Sequence, residues 1–233
     1  GELSGEVIQA FVDAEVFATL APSAYGGHQL PFSVYSQIVQ RVSAVSPSAG
    51  WAISFLMGAS WRLLLFNRQA QEEMFAGRNY ILGAGAAAPI FGVEKVDGGY
   101  VLNGRTAWNS GSSAAEWFQV NGVLMKDGAP ELLMFAVPRA DVTILDTWHI
   151  MGMKGTASRD LTVEKVFVPE HRAALFVPAL EGQSAGHRLH DHPMYHVPFL
   201  PFAMVEVLPV IVGTHRGAAN ALFDRTEARL GTI

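Results

Sequence analysis

Hydrophobic positions recur along this 233-residue chain with two different periods. From Val7 to Leu20 the apolar residues Val7, Ile8, Phe11, Val12, Val16, Phe17 and Leu20 fall at helical spacing, and the Ala21-Pro22 step and the Gly26-Gly27 pair then end the element. The spacing predicts a second helix from about Phe32 to Val45, with Val34, Ile38, Val39 and Val42 on one face. Ser46-Pro47-Ser48 opens a third, because serine caps a helix start and proline is favoured in its first turn. Trp51 to Leu65 and Gln69 to Phe75 complete a helical first part.

At Tyr80 the segments become short and alternating, as strands do. Phe91 to Val96 and Tyr100 to Leu102 flank Asp97-Gly98-Gly99, and Trp117 to Met125 and Glu131 to Val137 flank Lys126-Asp127-Gly128; both turns tolerate positive φ and predict hairpins. Val142 to Trp148 and Asp160 to Val168 supply two more strands, giving an antiparallel β-domain. After Pro178 a loop rich in Gly, His and Pro leads to a helical pattern from about Phe202 to Arg229. The order of classes argues for an α+β fold and against a doubly wound sheet. Its expected parts are a helical domain over 1–79, a β-domain over 80–178, and a loop with the start of another helical domain over 179–233.

Composition narrows the classes. Half the residues are hydrophobic and 16% are charged, which supplies a large core. The longest apolar runs, Ile53 to Trp61 and Val205 to Val212, are interrupted and short of the ~18 to 20 residues a spanning helix needs, so no membrane partner is expected. A net charge of −5 without a basic, aromatic-interleaved stretch lacks the footprint of nucleic-acid binding. With no cysteine, disulfides, thiolate nucleophiles and cysteine-ligated zinc drop out, and redox chemistry requires a bound cofactor. No basic, then apolar, leader opens the chain, so a cytoplasmic location is expected. Both ends read as cut from a longer chain.

Several segments then fall into one pattern. APSAYGG over 21–27, SPSAGW ending at Trp51, QAQEEMF ending at Phe75, and DGGYVLNGRTAWNSG ending at Gly111 resemble successive elements of acyl-CoA dehydrogenase-like proteins, in the branch of two-component flavin-dependent monooxygenases. The most specific stretch is Asp146 to Arg172, DTWHIMGMKGTASRDLTVEKVFVPEHR, whose Trp, Gly, Gly-Thr, Ser and Val-Pro-Glu elements fall in family order. The resemblance covers nearly the whole chain. It implies an oxygenase component that uses O2 and reduced FMN or FAD, supplied by a separate NAD(P)H-dependent flavin reductase, to oxygenate a small aromatic or polycyclic substrate through a C4a-hydroperoxyflavin. It also implies a homotetramer and a C-terminal helical bundle of which only the start is present.

Departures bear on the substrate. The strand usually read Gly-Arg-Trp-x-Phe-x-Ser-Gly is here Gly104-Arg105-Thr106-Ala107-Trp108-Asn109-Ser110-Gly111, its large aromatic moved by two positions onto the same face. Where several phenol-hydroxylating relatives carry a histidine, this chain has Gly58-Ala59-Ser60-Trp61, and the relatives' C-terminal catalytic histidine falls past Ile233.

A short-lived oxygenated flavin survives only where water is excluded and directed hydrogen bonds hold it. Ser110 is the candidate catalytic hydroxyl, with the backbone of Trp108 and Asn109 and the adjoining Gly111 against the flavin's polar edge; by position alone, Ser110-Gly111 simply ends a strand. Trp51 and Trp108 are candidate flavin or substrate walls, or core aromatics. Gly83 to Pro89 fails as a dinucleotide fingerprint because no βαβ unit surrounds it; the resemblance makes it the strand and turn lining the flavin, with Ala84, Ala88 and Pro89 as contacts. Gly155-Thr156-Ala157-Ser158 either borders the active site or only forms a tight turn, and the structural role is favoured. Arg229 either reaches the flavin phosphate of a neighbouring subunit or is a solvated helix charge. The run His187, His190, Asp191, His192 and His196 fits no zinc spacing, and a substrate-entrance loop accounts for its Gly and Pro; no metal is assigned.

Two other functions share this fold class. One is acyl-CoA dehydrogenation, whose typical Thr-Glu-Pro-Gly-Ala-Gly-Ser-like and Trp-Ile-Thr-like strands are replaced here by Leu82 to Pro89 and Trp108 to Gly111. The other is a binding protein of the same fold without flavin.

Overall fold

The structure, a computed structural model, describes residues 1–86 and 91–230. Helix α1 (Gly5–Asp13) starts at Ser4, whose side chain accepts from the Val7 amide, and buries none of its residues. The predicted helix to Leu20 breaks at Glu15, which takes a left-handed conformation (φ 55°) before a single 3₁₀ turn, Val16–Ala18. The break turns Phe17 and Leu20 fully into the core, which a continuous α1 would not do. Helix α2 (Phe32–Val45) follows, then α3 (Pro47–Arg62), capped by Ser46 with Pro47 in its first turn, and α4 (Arg68–Met74), capped by Asn67.

The strands are β1 (Gly83–Gly85), β2 (Phe91–Val96), β3 (Gly99–Asn109), β4 (Trp117–Lys126), β5 (Ala129–Pro138), β6 (Thr143–Leu145), β7 (Arg159–Pro169) and β8 (Ala173–Leu175). They form one sheet in the order β6-β7-β3-β2-β4-β5-β8, with β1 also paired to β4. The sheet is mixed, which corrects the expectation of a wholly antiparallel domain. Ala84 pairs with Phe118 and Gly92 with Val123, both in parallel register, so β1 and β2 share one edge of β4 in succession. The connection from β3 into β4 is therefore a crossover rather than a hairpin. The two hairpins are where the turn residues put them: Asp127 and Gly128 both have positive φ, as a two-residue turn matched to strand twist requires.

After the short helix α5 (Phe176–Leu180), 3₁₀ turns at Gly186–Arg188 and Pro193–His196 lead into α6 (Phe199–Leu230). Pro209 lies inside α6 and costs it the backbone bond to Val205 without ending it. The uninterrupted helix corrects the reading of short, broken apolar runs. Its most apolar 18 residues have a mean hydropathy of 1.3, so by length and composition α6 is long and apolar enough to cross a membrane, although a third of that stretch is buried against the protein. It packs on α2 and α3, where Trp61 stacks on Phe202 with ring centroids 3.9 Å apart and gives its indole N–H to the Met194 carbonyl.

One ion pair is buried in this helical layer. Arg62 of α3 meets Glu206 of α6, and a second guanidinium nitrogen donates to the Phe55 carbonyl at 3.1 Å. Burial lowers the Arg62 guanidinium to about 10, which leaves it cationic at neutral pH. Gly58 makes room for the pair, since a Cβ there would lie 1.9 Å from Glu206 Oε1.

Candidate active site

Between α3 and the sheet lies an open cleft of about 730 Å³, within the roughly 300 to 1,000 Å³ range of small-molecule sites. Trp51 and Phe55, one helical turn apart on α3, form one wall with ring centroids 5.1 Å apart. Gly85 and Ala86, at the end of β1, add a floor of small residues.

Trp108 stands opposite. The β3–β7 register shifts between Thr106 and Asn109, and Trp108 takes a left-handed φ of 63° there, so the indole projects outward, 69% exposed, at the cleft. A bulge of this kind re-aims one side chain without ending the strand. Trp148 and Met153 close the remaining side from the loop after β6. That loop was expected as strand to Trp148; only Thr143–Leu145 is strand, and the released segment folds back with the Trp148 indole donating to the Met153 carbonyl at 3.2 Å.

Ser110 is brought to the inner edge of this cleft and buried to 7% exposure. Its oxygen accepts from Trp51 Nε1 at 2.8 Å and lies 2.8 Å from Ser158 Oγ, which is 2.7 Å from Thr156 Oγ1. Thr156 in turn donates to the Met153 carbonyl at 3.0 Å. Thr156 and Ser158 thus line the cleft, which is the less favoured of the two readings of their segment. Thr156 and Ser158, three and five residues past Met153, carry no periodic signal; what betrays them is the left-handed backbone of Met153 and Ala157 beside them. The segment is also stapled to the end of β3 by Gly111 N–H to the Thr156 carbonyl and Ser112 Oγ to the Ala157 carbonyl, both 2.8 Å.

The remaining candidates lie apart from this group. Asn109 is fully buried and turned into the sheet, donating to the Thr106 and Arg159 carbonyls. The backbone carbonyls of Trp108 and Asn109 accept from the amides of Ser110 and Ser112. Ala84 is buried in β1 behind Gly85. Ala88 and Pro89 lie outside the described residues. Arg229 is exposed in the last turn of α6 and does not line the cleft. The histidines serve the helical layer: His187 bonds Ser184 and the Val197 carbonyl, His190 bonds Gln71, and burial holds both below the ordinary imidazole range.

None of the described lining residues is ionisable. The cleft therefore offers flat aromatic surface and one row of hydroxyls, a donor set suited to a planar ring system with a polar edge.

No protein-family model matches the chain. Among curated proteins it is 54% identical over 229 residues to the pigment production hydroxylase of Rhodococcus sp. (strain ATCC 21145), covering 98% of this chain and 59% of that one. It is 33% identical over 224 residues to the flavin-dependent monooxygenase oxygenase subunit HsaA of Rhodococcus jostii (strain RHA1), covering 96% and 59%. Among solved structures, the 3-HSA hydroxylase from Rhodococcus sp. RHA1 aligns with a TM-score of 0.93 at 31% identity, covering 98% of this chain and 61% of that one. The chain thus spans about 59% of the length of these curated relatives.

Proposed function

Because the chain belongs to the acyl-CoA dehydrogenase-like oxygenase components of two-component flavin-dependent monooxygenases, we propose that its protein inserts one atom of O2 into a small aromatic substrate and releases the other as water. The observation that carries this reading is the aromatic cleft with Ser110 on its inner edge, linked to Trp51, Ser158 and Thr156. What favours it over acyl-CoA dehydrogenation is that these relatives are named as hydroxylases and monooxygenases.

The residues fit a reduced flavin. Trp51, Phe55, Trp108 and Trp148 give flat apolar faces, Gly85 and Ala86 let a ring approach the backbone of β1, and Ser110 presents oxygen to a polar ring edge. When bound, reduced flavin supplies the two electrons that activate dioxygen. The chain's own part is to stack the ring against aromatic side chains and to hold a proton-bearing group at Ser110 Oγ. Arg229 at the end of α6 is the proposed contact to a flavin phosphate across a homotetramer interface, with FMN or FAD delivered in the cytoplasm by an NAD(P)H-dependent reductase.

The test is electron partition. The intact protein is given FMNH2 or FADH2, oxygen and a phenol, and hydroxylated product is compared with hydrogen peroxide. Product formed in proportion to flavin consumed, and lost to peroxide on Ser110→Ala, supports the reading; reduction of oxidised flavin by an acyl-CoA with no product from phenols overturns it.

A further inference from the structure

The hydroxyls behind the cleft can be given protons in only one order if all four contacts are made together. The Met153 carbonyl cannot donate, so the single proton of Thr156 Oγ1 is directed to it across 3.0 Å. Ser158 must then donate to Thr156 across 2.7 Å. With its proton so placed, Ser158 accepts from Ser110 across 2.8 Å. Ser110 accepts from Trp51, whose indole nitrogen only donates. The order runs Trp51 to Ser110 to Ser158 to Thr156 to the carbonyl. Ser110, Ser158 and Thr156 are 7%, 4% and 1% exposed, so bulk water does not scramble it.

We infer that this one-way chain makes Ser158 and Thr156 specificity-determining residues for the redox state of the flavin, by holding Ser110 as an acceptor toward the cleft. The inference rests on the flavin reading above. Reduced isoalloxazine carries a hydrogen on its central-ring nitrogen N5, whereas the oxidised ring has a bare acceptor there. Ser110, with one lone pair taken by Trp51 and its proton given to Ser158, complements the first and opposes the second. To face an acceptor Ser110 must turn its proton away from Ser158, and one bond among Ser110–Ser158, Ser158–Thr156 and Thr156–Met153 is then left without a donor. One hydrogen bond of net value ~0.5 to 1.5 kcal/mol corresponds to about a three- to tenfold preference for the reduced form.

The test is anaerobic equilibrium binding of FMN and FAD, oxidised and dithionite-reduced, to the intact protein and to Thr156→Val, Ser158→Ala and Thr156→Ser. Wild type and Thr156→Ser are expected to prefer reduced flavin, and Thr156→Val and Ser158→Ala to lose about three- to tenfold of that preference. A merely structural role weakens both redox forms equally and leaves their ratio fixed. An unchanged ratio in both hydroxyl-deleting variants, or no preference in wild type, overturns the inference while leaving the flavin reading intact. A protein that binds neither flavin in either state overturns that reading as well.

Discussion

Trp51 and Ser110, 59 positions apart in sequence, are joined by a 2.8 Å hydrogen bond from indole nitrogen to serine oxygen. The bond ties the second turn of α3 to the residue that follows β3. Trp51→Phe keeps an aromatic wall beside Phe55 and removes only the donor. Oxygenated product per reduced flavin is expected to fall about three- to tenfold, the electrons appearing as hydrogen peroxide. An unaltered product-to-peroxide ratio would detach Trp51 from the reaction.

Trp108 is the most exposed side chain of the cleft, at 69%. Trp108→Ala should therefore change unfolding free energy by less than about 0.5 kcal/mol. Loss of its stacking face should weaken binding of an aromatic ligand by about 1 kcal/mol, or fivefold. Parallel melting and ligand titration separate the two effects, and a variant with unchanged affinity would make Trp108 a bystander.

The Arg62–Glu206 pair is nearly dry on both sides, with side chains 6% and 2% exposed. Glu206→Leu alone leaves an uncompensated guanidinium beside Phe55 and is expected to cost about 3 to 5 kcal/mol in urea unfolding. The double variant Arg62→Met/Glu206→Leu should recover most of that loss. Additive losses would contradict the coupling.

Glu73 joins α4 to the turn after β7 through Arg172, with His171 as a second partner. The Arg172 hydrogen bond holds its carboxyl at about 2, below the ordinary 4.5. A carboxylate depressed by folding contributes stability that is present above the unfolded value and lost as pH falls through the folded one. The loss thus runs from about pH 4.5 down to about 2. With the side chain 35% exposed, solvent screening holds the amount to the order of 1 kcal/mol. Urea midpoints at pH 6 and pH 3 should differ less in Glu73→Gln than in wild type; an equal difference in both proteins would assign the acid sensitivity elsewhere.

Local chemistry made α2, the capped start of α3 and both hairpins legible, because serine, proline and Asp-Gly act within a few residues. The parallel pairing of β1 and β2 with β4 was not legible, since nothing local marks which edge a distant strand will join. The end of α1 escaped for the opposite reason: the apolar period continued across Glu15, and burial of Phe17 and Leu20 overrode it. Trp51, Trp108 and Ser110 were legible through family resemblance and converge on the cleft. The segment of Ser158 and Thr156 reads as structural ahead of a border of the active site, because nothing in the sequence marks Met153 and Ala157, two non-glycine residues held at positive φ by the packed surroundings.

The hydroxyl chain also has a kinetic meaning. Its links span 59 residues from Trp51 to Ser110 and 48 from Ser110 to Ser158, and only the last two, Ser158 to Thr156 and Thr156 to Met153, are local. Contacts so remote in sequence form after the loop-closure entropy of both segments has been overcome, so they belong to the late, slow events of assembly. No helical or hairpin intermediate holds either of the two long-range links. Appearance of the Trp51–Ser110 bond during refolding therefore marks the moment when helices and sheet have docked, and a chain stalled before that point has secondary structure but no site.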